Sequence, residues 1–234
     1  MYCVMCSVLH YHKNVKELTI RVCLMSSSYF TVRHSASDEL IINKSRFIGY
    51  AAPVQSEEEA LSFLQQIRLK HRDASHNCYA YTIGKNMGIM RYSDDGEPSG
   101  TAGLPMMEVI KKEKVCNCCC VVTRYFGGVL LGAGGLLRAY TQSTSVALKA
   151  AGIVEMVPSV SLLCEVEYNL WDRVQHQLKS MPVQLMAPEY TTAVAFTLLI
   201  REKDVDLVKQ ELVSITESHI TMLEDAKCDM AWDL

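Results

Sequence analysis

Residues 121–140 read VVTRYFGGVLLGAGGLLRAY. The β-branched and aromatic run that ends at Phe126 reads as a strand, and GGVLLGAGG (residues 127–135) reads as a glycine-rich loop. Leu137, Tyr140, Thr144, Ala147, Leu148 and Ala151 then recur at helical spacing up to a stop at Gly152. Strand, glycine loop and helix start in that order make an anion site, because glycines let backbone approach a ligand and free helix amides attract negative charge. Arg124, Tyr125, Gly127, Gly128, Gly132, Gly134, Gly135 and Arg138 are its candidate residues. Arg138 is expected in the first helical turn, where a cation opposes the macrodipole unless an anion sits beside it. The bland reading, glycines for tight packing and a solvated arginine, weighs about equally. No Gly-Lys-Ser/Thr follows and GxGxxG does not match, so this is neither a Walker loop nor a dinucleotide fingerprint.

Upstream, Cys116, Cys118, Cys119 and Cys120 sit in the same strand. Period-two geometry points 118 and 120 one way and 119 the other, and no second Cys/His pair completes a zinc set. These read as small apolar core thiols. Before them comes SDDGEPSGTAG (residues 93–103), with three carboxylates, the hydroxyls of Ser93, Ser99 and Thr101, and three glycines. Asp94, Asp95, Gly96, Glu97, Pro98, Ser99, Gly100 and Thr101 read as a specialised loop. Such oxygen density suits Mg²⁺, but the EF-hand spacing is absent, and a functional surface without a metal is the preferred reading. His71 and His76 bracket Arg72-Asp73-Ala74-Ser75; with no GxSxG elbow the trio is not read as a triad, and a helix end favours a cationic His71.

Toward the N-terminus, YFTV, ELII and RFIGYAAPV read as strands. Ser56 with Glu59 makes a capping box for a helix over about 57–71, and CYAYTIG and GIMRYS flank a turn as a hairpin. Pro105 opens a short helix to about Lys114. Residues 1–25 lack capping or turn chemistry and read as an extra segment outside the fold, with the working chain starting near Met25. After a linker near 153–159 the pattern β-α-β-β-α-β spans residues 156–228, the split βαβ of a ferredoxin-like domain, with 229–234 as a tail. The fold class is therefore α+β in two domains, 26–155 and 156–228. At 234 residues, with 49% hydrophobic and 21% charged residues, the chain is an ordinary globular one, not disordered, collagenous or purely coiled-coil. No apolar run reaches the ~20 residues of a membrane span, and the N-terminus has no secretory pattern. Ten cysteines are then expected as free thiols in the cytoplasm. The net charge of −3 hides a division: residues 26–152 carry a net +3 and residues 153–234 a net −8.

HRDASHNCYAY, RYSDDGEPSGTAG and VVTRYFGGVLLGAGGLLRAY together closely resemble the IMPACT/YigZ family, over about residues 29–152. The second half resembles the small C-terminal domain of bacterial-type members. The resemblance implies a first domain with the α/β sandwich of elongation factor G domain IV and of a small-subunit ribosomal protein, and a second like domain V of that factor. It implies a link to translational control, since eukaryotic relatives compete for a ribosome-associated activator of a stress kinase. It places residues 94–101, the glycine segment, Arg124, Tyr125 and Arg138 on one functional surface, with His71 and His76 as weaker additions. The cysteines at 116–120 depart from the aliphatic residues expected there.

Three functions follow. The first is a cytosolic, translation-associated regulator or module that binds RNA, the ribosome or a translation factor through the first domain, without membrane or cofactor and with room for a small anion at the glycine loop. The second is a metal-assisted enzyme on a phosphorylated or anionic substrate, using Asp94, Asp95 and Glu97; no nucleophile–base pair can be named for it. The third is a protein-facing regulator whose acidic loop meets a basic partner.

Overall fold

The computed structural model of the protein describes residues 28–232. The expected extra segment 1–25 lies outside the described residues.

The first half builds a five-stranded antiparallel sheet. Its strands are β2 (Ala36–Ile42), β3 (Ser45–Pro53), β4 (His76–Ile83), β5 (Ile89–Ser93) and β6 (Cys118–Tyr125), in the order β2-β3-β6-β4-β5. A two-residue turn at Asn43 and Lys44, both at positive φ, closes the β2–β3 hairpin with the twist such hairpins favour. Helix α1 (Glu57–Lys70) covers one face, packing Ala60, Leu64 and Ile67 on Ile48, Tyr50, Cys119 and Val121. Helices α2 (Gly103–Lys112) and α3 (Gly132–Ala151) cover the other, packing Met106, Ile110, Tyr140 and Ala147 on Phe47, Cys118, Cys120 and Val122. The central strand β6 is buried on both sides, so its alternation divides two cores. Cys118, Cys119 and Cys120 are fully buried free thiols distributed between those cores. Burial pushes the Cys119 thiol well above its ordinary value, and the hydrogen bond shared with Cys118, then burial, does the same to Cys120. These are packing groups and not ligands or nucleophiles.

Ser56 caps α1 by accepting from the Glu59 amide at 3.3 Å, while Glu59 accepts from the Gln55 amide at 2.7 Å, one residue earlier than in the standard box.

The second half has its own core and sheet. β7 (Ile153–Val166), α4 (Tyr168–Leu178), β8 (Val183–Leu185), β9 (Glu189–Tyr190), β10 (Val194–Arg201), α5 (Val205–Ile215) and β11 (Ile220–Trp232) follow in order. β7 pairs antiparallel with β10 and β11, and β10 with β8, which is the strand order of a split βαβ. Trp171, Val174, Val208 and Leu212 pack on Leu162, Phe196 and Leu198. No helix among the described residues is long and apolar enough to cross a membrane.

Two expectations are corrected, and one strand pairs where no local signal points. The linker expected near 153–159 is strand: β7 runs unbroken from the Gly152 helix stop into the second core. The tail expected from 229 is also strand, because β11 stays paired to β7 through Trp232↔Glu155, and the Trp232 indole donates to Ser159 Oγ at 3.1 Å. The opening strand β1 (Tyr29–Val32) pairs with residues 153–156 of β7, in the second sheet, while Val32 is buried in the first core. The lower part of β7 is thus hydrogen-bonded on both edges, by the beginning and by the end of the described chain.

α3 reaches the sheet through Gly49, where an added Cβ would stand 2.3 Å from the Ser143 carbonyl oxygen. Gly49→Ala is expected to lower unfolding free energy by about 2–3 kcal/mol in urea titrations, since backbone meets backbone and no flexible side chain yields.

Candidate functional site

The loop between β5 and α2 turns its acids inward. Asp94 accepts from the amides of Ala102 (3.0 Å), Gly103 (2.8 Å) and Gly100 (2.9 Å). Ala102, the N-cap of α2, has no side-chain cap of its own, so Asp94 supplies one from eight residues upstream and sets a negative charge at the helix start. Asp95, at φ +44°, accepts from Arg68 of α1 at 2.8 Å and from the Asn77 amide of β4 at 2.7 Å. Its carbonyl pairs with His76 Nδ1 at 2.9 Å. Gly96 (φ +87°) and Gly100 (φ +75°) take left-handed backbone that lets the loop fold back. The Pro98 carbonyl accepts from Thr101, and Ser99 is exposed.

Glu97 enters the core. Its Oε1 accepts from Arg124 at 2.7 Å and from the Tyr140 hydroxyl at 2.7 Å, and its Oε2 lies 3.9 Å from His76 Nε2. Glu97 and Arg124 are 3% and 7% exposed as side chains, so this is a buried ion pair. The Arg124 guanidinium also lies over the rings of Phe47 (5.4 Å) and Phe126 (5.5 Å), and its Nε has no hydrogen-bond partner among the described residues. Burial, with Cys78 and Glu97 adding to it, holds the Tyr140 phenol protonated far above its usual range, which fixes it as the donor. Cys78 donates to the Asp94 carbonyl at 2.9 Å and is pushed up to about 12 by burial, so it is no nucleophile.

The three carboxylates therefore serve three different places. Among the described residues no cluster of three or more His, Cys, Asp or Glu side chains converges as a metal set. Asp94, Asp95 and Glu97 point to separate protein donors.

The glycine segment differs from its sequence reading. α3 begins at Gly132, so Gly132, Gly134 and Gly135 form its first turn and Arg138 stands in the second. Gly127 is a contact glycine: a Cβ there would lie 2.0 Å from the Lys44 carbonyl, and its amide donates to Ser45 Oγ at 3.2 Å. Gly128, Gly132 and Gly134 are open, with no atom within 4 Å of an added Cβ. Phe126, Val129, Leu130 and Leu137 are exposed around them, Leu130 by 86%.

His71 and Tyr125 do not join this group. Alternation along β6 sends Tyr125 to the α1 face, where His71 packs among Tyr50 and Tyr125. The expected cationic His71 is also corrected. Burial first, then Lys70 and Arg46, lowers its proton affinity from the ordinary 6.5. The structure thus unites residues 94–101, His76 and Arg124, leaves the open glycines and Arg138 as a separate outer surface, and puts His71 and Tyr125 on the opposite face. Tyr140 and Arg68 were missed as site residues. Tyr140 reads from sequence as part of an apolar helix stripe, and only Glu97 opposite it reveals a polar role.

A two-layered-helix α/β unit with a buried Arg–Glu centre, followed by a split-βαβ unit, is the class of protein these observations define. The Impact N-terminal domain matches residues 43–148 and a domain of unknown function (DUF1949) matches residues 164–217. The chain is 41% identical over 209 residues to the IMPACT family member YvyE of Bacillus subtilis, covering 86% of this chain and 96% of the relative. It is 30% identical to the IMPACT family member YigZ of Escherichia coli, covering 78% and 90% of the two chains. A crystal structure described only as a hypothetical protein superposes with a TM-score of 0.53 at 27% identity, over 85% of this chain and 98% of that one. The chain belongs to the IMPACT family, as its sequence blocks imply.

Two measurements test the geometry. Arg124→Met and Glu97→Ala should each cost about 3–5 kcal/mol, because each leaves the partner's charge buried and unpaired. The double variant should cost clearly less than the two added together, as residues in direct contact couple. Since the folded state lowers the proton affinity of His71, the unfolded chain binds the proton more readily as pH falls. Stability should be complete above the ordinary 6.5 and decline below it, and His71→Gln should remove that part of the decline in urea midpoints taken across pH.

Proposed function

We propose that this protein is a translation-associated binding module that engages RNA, the ribosome or a translation factor through the outer surface of its first half. The observation that carries this is the open segment from Phe126 to Arg138. Gly128, Gly132 and Gly134 are uncovered, Phe126, Val129, Leu130 and Leu137 are exposed, and the Glu97–Arg124 pair beneath the segment is internally satisfied. Uncovered apolar side chains beside a cation suit a macromolecular surface better than an enclosed small-molecule cleft. The net +3 of residues 26–152 favours an anionic or mixed partner, and the net −8 of the second half directs such a partner away from it. The likeness to elongation factor G domains IV and V that the family resemblance implies supports the same reading, as does membership of a family whose eukaryotic branch the resemblance links to translation.

Co-sedimentation of the full chain with ribosomes over a salt series tests it. Pelleting should weaken as salt rises, and Leu130→Asp and Arg138→Glu should each reduce affinity about tenfold. Absence of pelleting at low salt, or affinity unchanged in both variants, overturns the reading.

A further inference from the structure

A second site stands on the opposite face of the first sheet, at the C-terminal end of α1. There β2, β3 and the helix end line an open cavity of about 350 Å³. Its floor is Ile48, Tyr50 and His71, each less than a tenth exposed, and its walls carry Arg46, Lys70 and Asp38. This volume is within the range of small-molecule sites.

The floor holds an ordered chain of hydrogen bonds. The Tyr125 hydroxyl donates to Asp73 Oδ1 at 3.3 Å, so its oxygen accepts from His71 Nδ1 at 2.8 Å. Nε2 of the neutral ring then accepts from the Tyr50 hydroxyl at 2.7 Å. Both ring nitrogens are satisfied, and the Tyr50 oxygen keeps a lone pair for a donor in the cavity. Around this floor the charges are unequally used. Arg46 is paired with Glu39 at 2.8 Å and lies 5.6 Å over the Tyr125 ring. Lys70 lies 5.0 Å over the Tyr50 ring and makes no ion pair among the described residues. Asp38, across the cavity, accepts from the Glu39 amide and makes no ion pair among the described residues. One cation and one carboxylate on the walls thus have no ion pair among the described residues, beside a phenol oxygen able to accept.

We infer that this cavity is a binding site for a small metabolite that carries an oxyanion, held by Lys70 with Arg46 beside it, and hydroxyl or ammonium donors, held by Asp38 and the Tyr50 oxygen. A plain anion satisfies half of this arrangement, and a purely apolar molecule satisfies none. The site is independent of the surface proposed for translation partners. It lies across the sheet from the Glu97–Arg124 centre and shares no residue with the Phe126–Arg138 segment.

The test uses the full chain, with isothermal titration and the His71 ring proton resonances as two readouts. The probes are inorganic phosphate, glycerol phosphate and glycerate, which separate phosphate from carboxylate and a bare oxyanion from one bearing hydroxyls. Glycerol phosphate or glycerate should bind saturably, shift the His71 signals and bind more tightly than inorganic phosphate. Lys70→Ala, an exposed substitution, should weaken that binding about tenfold, the value of one charge-assisted contact. Asp38→Asn should reduce the preference over inorganic phosphate. Ribosome pelleting should be the same in Lys70→Ala as in the unmodified chain, so failure of either proposal is visible without the other. No saturable binding of either hydroxylated probe, or equal binding to Lys70→Ala, overturns the assignment.

Discussion

The Glu97 carboxylate organises the first half of this protein. A charged group 3% exposed is tolerated only if its partners are in place, and they come from three elements: Arg124 of β6, Tyr140 of α3 and His76 of β4. Delivering Glu97 to that point dictates the path of the whole loop. Asp94 must bend back to bind Gly100, Ala102 and Gly103, and Asp95 must bind Arg68 and the β4 backbone. The acidic loop is consequently a clamp between β4, α1 and the start of α2. Such a pair adds little net stability over an apolar isostere, but it makes misplacement of any member costly. That is a property suited to fixing one geometry.

The clamp explains what is left outside. With its acids turned inward, the first half presents Phe126, the open glycines and Arg138 beyond one end of β6, over a rigid base. Arg124 and Tyr125, adjacent in sequence, belong to different environments because β6 is central and buried on both sides. The ion pair lies beneath α3, and the tyrosine–histidine chain lies beneath α1. One strand therefore positions two unrelated polar centres.

Elements with a local signal were legible in the sequence. The capping box, the hairpins, the thiol strand and the β-α-β-β-α-β order depend on periodicity and turn chemistry within short windows. What depended on distant pairing was not legible. β1 carries an ordinary strand pattern, and nothing in YFTV says that its ladder is to β7, more than 120 residues on. Pro158 suggested a linker, yet it stands within β7, opposite Asp229. The glycines at 132–135 argued against helix by propensity, but packing of Leu136, Ala139 and Tyr140 carries α3 back to Gly132. Of the candidate residues, the acidic loop and Arg124 read by chemistry as two separate clusters, and the structure joins them through the Glu97–Arg124 pair. Their partner Tyr140 was hidden because a tyrosine in an apolar stripe has the same pattern whether or not its hydroxyl is used.

The separation of charge between the halves gains a structural meaning from these pairings. In the second half, Arg173, Lys209 and Lys227 each lie against an acid of the same half, Glu217, Glu224 and Glu202. Three of its six cations are thereby neutralised locally, and its surplus acid faces solvent. Lys85 of the first half meets Asp229 of β11 at 2.7 Å, so opposite charges also meet where the two halves touch. With β7 paired at its lower end to both β1 and β11, that junction is a continuous piece of sheet. Any anion approaching the first half would therefore meet a like-charged neighbour held in place by strand pairing.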